Sequence, residues 1–98
     1  MKVYVVTSQI GTWSKKSLAS VPSTDTTVYK SKFKAYRDAA WEKNWHLKEG
    51  FEIYYREVQD EREGEHLEHL IRVVLVNRET DQWAAIEVNK FVVIYMRE

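Results

Sequence analysis

Three groups of residues in this chain have the types and spacings that chemistry needs. His66 and His69 stand three apart, with Glu65 and Glu68 beside them. On a helix that spacing puts two metal ligands on one face; on a strand it sends them to opposite faces. The surrounding run, HLEHLIRVVLVN, has the β-branched content of a strand. Structural zinc sites need three or four protein ligands in a recognisable pattern, and His46, the third histidine, lies in a separate segment. We read polar residues at a strand entrance and expect no metal. The carboxylate pairs Glu57/Asp60 and Glu61/Glu63 fall in or beside the charged turn QDEREGE. Solvated carboxylates keep ordinary pKa values, whereas general acid–base catalysis wants a desolvated one.

The second group is Ser31, Lys32 and Lys34. Free backbone amides point outward at a helix start and bind anions, and this start carries two lysines behind a Ser/Thr-rich stretch containing Lys15 and Lys16. The same lysines oppose the helix dipole by roughly 0.3–1 kcal/mol each when exposed. Solvated surface lysines are the simpler reading, and a low-affinity anion site the sharper one. The third group is aromatic. Four Trp and six Tyr in 98 residues are many for a single-layer core. Trp41 and Trp45, at i and i+4 beside Arg37, make an aromatic and basic helix flank of the composition that dominates protein interfaces. The alternative is that Trp41 closes a sheet edge and Trp45 covers the helix end. Trp13 either pins its loop to the core or joins a binding surface.

These residues must be positioned by the surrounding elements. Ser31 to Lys48, SKFKAYRDAAWEKNWHLK, is the one segment that reads as a long amphipathic helix, with Ser31 as N-cap and Gly50 as a left-handed stop. At 100° per residue, Phe33, Tyr36, Ala40, Asn44 and Leu47 share a face, and that stripe is the expected core contact. Lys2–Gln9 reads as a central strand, apolar on both sides. Gln9–Thr27, with Gly11 and Pro22, reads as a long Ser/Thr-rich connection, and Thr26–Lys30 as a short strand leading to the helix. Phe51–Val58 alternates as a half-buried strand, with Phe51, Ile53 and Tyr55 on the inner side. His66–Asn77 is a further strand. Trp83–Val88 and Phe91–Met96 are one long strand or two, with Asn89-Lys90 as the break. The expected fold is α+β: a single domain over residues 1–98, one antiparallel sheet of about five strands, and one long helix packed on one face, in the order β-β-α-β-β-β.

Composition excludes several classes of function. There is no cysteine, hence neither disulfide framework nor thiolate chemistry. Three glycines cannot build a glycine-rich phosphate cradle, and no nucleophile elbow, Walker or zincin motif occurs. We therefore expect a non-catalytic protein with no cofactor. MKVYVVTS lacks the length and cleavage pattern of a signal peptide, and nothing approaches a membrane span, so a cytoplasmic protein is expected. The net charge is zero but segregated: Lys15–Lys48 holds eight Lys/Arg against three Asp/Glu, and Glu49–Glu68 holds eight Asp/Glu against two Arg. A nucleic-acid partner is not expected from such a balance; either two solvated faces or a dipolar surface that steers a partner fits it.

MKVYVVTS, VYKSKFKAYRDAAWEKNW, EGFEIYYREV and the late QWAAIEV together resemble an uncharacterised family of small α+β proteins from phages and mobile elements of Gram-positive bacteria. The family pattern of an aromatic, then Ser-Lys-x-Lys-Ala leading into one helix, falls here on Tyr29, Ser31, Lys32, Lys34 and Ala35. The resemblance carries no activity. It implies a phage or prophage setting, where small accessory and counter-defence proteins bind and block host factors. The expected partner is thus a host protein, bound through Arg37, Trp41, Trp45 and Trp13 or through the acidic Glu57–Glu68 tip. The competing expectation is a small-ligand or nucleotide module that stacks its ligand on aromatics and holds phosphate at Ser31, Lys32 and Lys34. A single helix leaves the second sheet face open, and FVVIYM is apolar on both sides, so a homo-oligomer, most simply a dimer, is also expected.

Overall fold

The computed structural model describes residues 1–13, 22–59 and 69–94. Its elements are β1 (Lys2–Thr12), β2 (Ser23–Tyr29), α1 (Lys32–Lys48), β3 (Glu52–Val58), β4 (Leu70–Asn77) and β5 (Gln82–Val92). The strands form one five-stranded antiparallel sheet in the order β2-β1-β5-β4-β3, with α1 crossing one face. This is the α+β architecture expected from the sequence. Among the described residues no helix is long and apolar enough to cross a membrane.

The helix starts and stops as its end residues dictate. The Ser31 hydroxyl accepts a hydrogen bond from the Lys34 amide at 3.3 Å, satisfying one of the first free donors. At the other end Gly50 takes φ 94°, a left-handed conformation that a Cβ would strain, and the Phe51 amide returns to the His46 carbonyl at 3.1 Å. Asn77 then ties this end to the β4–β5 turn. Its amide nitrogen reaches the Glu49 carbonyl at 3.5 Å, while its Oδ1 accepts from the Glu79 and Thr80 amides. A single buried side chain thereby positions both the helix end and the hairpin.

The helix is rotated by one residue from the apolar stripe read in the sequence. The buried positions are Ala35, Tyr36, Ala39 and His46, where the pattern pointed to Phe33, Tyr36, Ala40, Asn44 and Leu47. Phe33 and Leu47 are exposed. The reason lies in the sheet. Tyr4, Val6, Leu70, Val73, Leu75, Ile86 and Val88 fill the layer beneath the helix, so small side chains on the helix give the closest approach. Ala35 and Ala39 retain no accessible surface.

Strand boundaries also differ from the sequence reading. β1 continues to Thr12 and β2 begins at Ser23, so pairing absorbs both ends of the expected connection at 9–27. β5 runs through Asn89 and Lys90 without a break, because both pair with β1, at Val5 and Tyr4. β4 begins at Leu70. In β3, Ile53 and Tyr55 do not share an inner face. Tyr54 has no partner in the register, so Ile53 pairs with Leu75 on the helix side and Tyr55 with Val74 on the other. Ile71 is skipped in the same way, which returns Leu70 to the core.

The sheet face away from the helix has its own packing. Gly11 lies opposite Trp83, and a Cβ on Gly11 would sit 2.7 Å from the indole ring. The ring thus lies over a glycine in the neighbouring strand, which only a residue without a side chain permits.

Two substitutions test the helix rotation. Ala39→Leu should lower stability by about 1–3 kcal/mol by overpacking. Phe33→Ala, which removes more apolar surface, should change it by less than about 0.5 kcal/mol because the ring is already in solvent. Urea melts of the two variants measure both, and the opposite order would restore the stripe through Phe33.

Candidate functional site

Turning the small residues of α1 toward the sheet turns the large ones outward. Phe33, Arg37, Trp41 and Trp45 follow one another at intervals of four, drifting slowly around the outer surface. Phe33 is 57%, Trp41 65% and Trp45 47% exposed. The Arg37 guanidinium carbon lies 6.0 Å from the Phe33 ring centroid, within cation–π range. Trp45 meets His46 edge-on at 5.1 Å, and His46 in turn meets Phe51 at 5.0 Å, so only one side of the Trp45 indole rests on the body of the fold. His46 Nδ1 donates to the Glu42 carbonyl at 2.8 Å, which fixes the proton on that nitrogen and makes this histidine a structural one.

A cleft opens on the flank of the helix that faces β2. Tyr29, Phe33, Lys34, Arg37, Asp38 and Trp41 line it, around a volume of about 540 Å³. Its inner wall is fixed by one short hydrogen bond, from the Tyr29 hydroxyl to Asp38 Oδ2 at 2.7 Å. That bond to a carboxylate pushes the Tyr29 pKa up to about 12, with burial and the charge of Asp38 adding to it. Asp38 accepts this bond and keeps its negative charge, so the cleft lining carries two cations, Lys34 and Arg37, against one carboxylate.

Beneath this flank the helix carries a second carboxylate. Burial raises the Glu42 pKa above its ordinary value, the charge of Asp38 raises it further, and a hydrogen bond from Ser8 partly offsets both. Glu42 Oε2 is buried without a hydrogen-bond partner. Of the two acidic residues of α1, one is bound to Tyr29 and the other is turned to β1. The outward surface is consequently aromatic and cationic.

The structure brings some of the residues expected from the sequence together and separates others. Arg37, Trp41 and Trp45 share the outer surface of α1. Trp13 does not join them: it is exposed at the far end of β1, its amide bonded to the Asp81 carbonyl at 3.1 Å in the β4–β5 turn. The lysine-rich helix start also divides. Lys34 lines the cleft, Ser31 spends its hydroxyl on the cap, and Lys32 is exposed but not among the lining residues. His69 stacks on Tyr36 at 4.7 Å with the rings 12° apart, on the opposite flank of the helix. His66, Glu65, Glu68 and most of the acidic 57–68 tip lie outside the described residues. Within the described residues no group of three or more His, Asp or Glu is placed to hold a metal. Sequence reading missed Tyr29, Phe33 and Asp38 as parts of the site. The Phe33-Arg37-Trp41-Trp45 spacing was a usable signal for Phe33; the Tyr29–Asp38 bond joins two elements and left none.

Comparison of the chain with known protein families, with curated proteins and with solved structures finds no match.

Glu42 gives a pH test of the cluster. Its folded pKa lies above its unfolded one, so the native state holds the proton more tightly. Its contribution is then fully present below about pH 4.5 and is lost as pH rises through the folded value. Glu42→Gln, permanently neutral, should melt higher than the wild type at neutral pH, with the difference shrinking toward zero on acidification. A difference that does not vary with pH would show that Glu42 carries no such penalty.

Proposed function

We propose that this is a small non-catalytic binding protein, and that it docks a partner protein through the outer surface of α1. The observation that carries this reading is the run of Phe33, Trp41 and Trp45, all exposed on one helix beside Arg37. Exposed large aromatics in a contiguous patch are rare on a surface that serves only to face water. Trp and Arg are also the residues from which most interface energy comes. The mode is helix-in-groove, with anchors one turn apart. Charge selects the groove: Lys34, Arg37 and Lys48 lie beside the aromatics, while the helix carboxylates Asp38 and Glu42 are turned toward β2 and β1, so the partner would present an apolar groove with an acidic rim. The family resemblance adds the setting, a phage or mobile-element accessory protein acting in the host cytoplasm by occluding a host protein.

A second reading rests on the cleft itself. Its 540 Å³ would admit a small aromatic anion, stacked on Trp41 and paired with Lys34 and Arg37. The two readings part on Trp45, which belongs to the outer stripe and does not line the cleft.

Affinity capture from lysate of the bacterial host, followed by titration of the captured protein, tests the first reading. Trp41→Ala and Trp45→Ala should each weaken binding about thirtyfold or more, the effect of losing roughly 2 kcal/mol at an interface hot spot. Both should melt within a few degrees of the wild type. Unchanged binding by both variants would overturn the docking surface. A thermal shift with nucleotides that disappears in Arg37→Ala but survives in Trp45→Ala would favour the cleft ligand.

A further inference from the structure

The two edges of the sheet are not alike. β3 is guarded: Tyr54 bulges out of register, and Glu52, Arg56 and Glu57 place three charges along seven residues. Bulges and charges of this kind stop a strand edge from recruiting another chain. β2 has neither protection. Its seven residues, STDTTVY, pair with β1 in unbroken register from Ser23↔Ile10 to Tyr29↔Tyr4, with no bulge and with Asp25 as the only charge. From Ser23 to Val28 it is exposed throughout, and α1 reaches only its Tyr29 end through the bond to Asp38. Among the described residues no strand pairs with its outer edge. Four of the seven residues are β-branched, which favours an extended strand that more pairing would stabilise.

We propose that β2 is the seam of a homodimer, in which two copies pair β2 to β2, antiparallel, about a two-fold axis at Thr26. This goes beyond the docking surface on α1 and does not depend on it. The strand itself selects a second copy as the occupant. A two-fold axis normal to the sheet keeps each residue on its own face, so partners must differ by an even number of positions. Centring on Thr26 is the register that uses the whole strand: Ser23 meets Tyr29, Thr24 meets Val28, Asp25 meets Thr27, and Thr26 meets itself. No like charges then stand opposite one another. Charge complementarity adds to it. Asp25 pairs with Ser8 in β1, whose side chain reaches Glu42, so Asp25 lies on the helix side. Across the seam it falls one diagonal step from the other copy's Tyr29, at the cleft where the two cations Lys34 and Arg37 outweigh the one carboxylate, Asp38.

The axis also keeps both helices on the same side of a continuous ten-stranded sheet. The flank of α1 that carries Asp38 and Trp41 is the one that faces β2. In the dimer the two flanks therefore face each other across the seam, and each copy supplies one wall of a shared trough.

Sedimentation of the full chain and disulfide trapping test the seam. The wild type should sediment as a dimer at high concentration. Thr26→Lys, which sets two lysines against each other on the axis, should raise the dissociation constant at least about tenfold. The chain has no cysteine, so Thr26→Cys introduces a single thiol. Opposed residues of an antiparallel pair have Cα atoms about 4.5–5.5 Å apart, within disulfide range, and mild oxidation should convert this variant to covalent dimer. Tyr54→Cys, exposed on the opposite edge, should remain largely uncrosslinked. A monomeric wild type, a dimer that survives Thr26→Lys, or crosslinking of Tyr54→Cys as fast as Thr26→Cys would each overturn the proposal. Should Thr26→Lys fail to fold, as judged by its circular dichroism, the two cysteine variants decide alone.

Discussion

The closeness with which α1 lies on the sheet governs most of what this protein presents to solvent. Ala35 and Ala39 from the helix and Ala84 from the sheet have no accessible surface, and around them Leu70, Val73, Leu75 and Ile86 are equally buried. A helix over a sheet buries whichever face fills the space most completely, since voids forfeit dispersion contacts and oversized groups force strain. Here the sheet supplies the bulk and the helix the small residues. Large side chains on the outer half of α1, Phe33, Trp41 and Trp45, are then left outside, and among the described residues no second layer receives them.

That arrangement also sorts the charges. The two carboxylates of α1 fall on the flank between helix and β1/β2, where one accepts from Tyr29 and the other is partly desolvated beside Ser8. Lys34, Arg37 and Lys48 fall outward, on the side of the indoles. An aromatic and cationic surface thus arises from the same rotation that builds the core, and Tyr29–Asp38 fixes the relation of that surface to β2. On the far side of the sheet, Trp83 over Gly11 shows a different solution for a large ring: it covers backbone in the neighbouring strand, on the face that α1 does not cover.

Much of the fold was legible in the residue pattern. Strand and helix types, their order and the two helix caps follow from β-branched runs, from Ser31 and from Gly50, which act locally. What misled was the assumption that the largest apolar residues mark the buried face. The stripe Phe33-Tyr36-Ala40-Asn44-Leu47 and the face actually buried, Ala35-Ala39-His46 with Tyr36, differ by a single residue of rotation, and no local property separates them. The breaks read at Gln9 and at Asn89-Lys90 failed for a related reason. Cross-strand pairing on both sides of β1 and along β5 extends strands through residues that locally resemble turns.

The site divides along the same line. The chain's own sequence determined that Arg37, Trp41 and Trp45 share one side of a helix, because 3.6 residues per turn is a property of the backbone alone. It determined the absence of thiol chemistry and of a glycine-rich phosphate loop, because those need residues the chain lacks. Only the tertiary structure decided that this side faces solvent, that Trp13 stands apart from it, that Tyr29 and Asp38 close a cleft beside it, and that no described strand pairs with the outer edge of β2. Each of those depends on which elements become neighbours, and neighbours are chosen by complementary volume and pairing across the sheet, quantities that no short stretch of sequence contains.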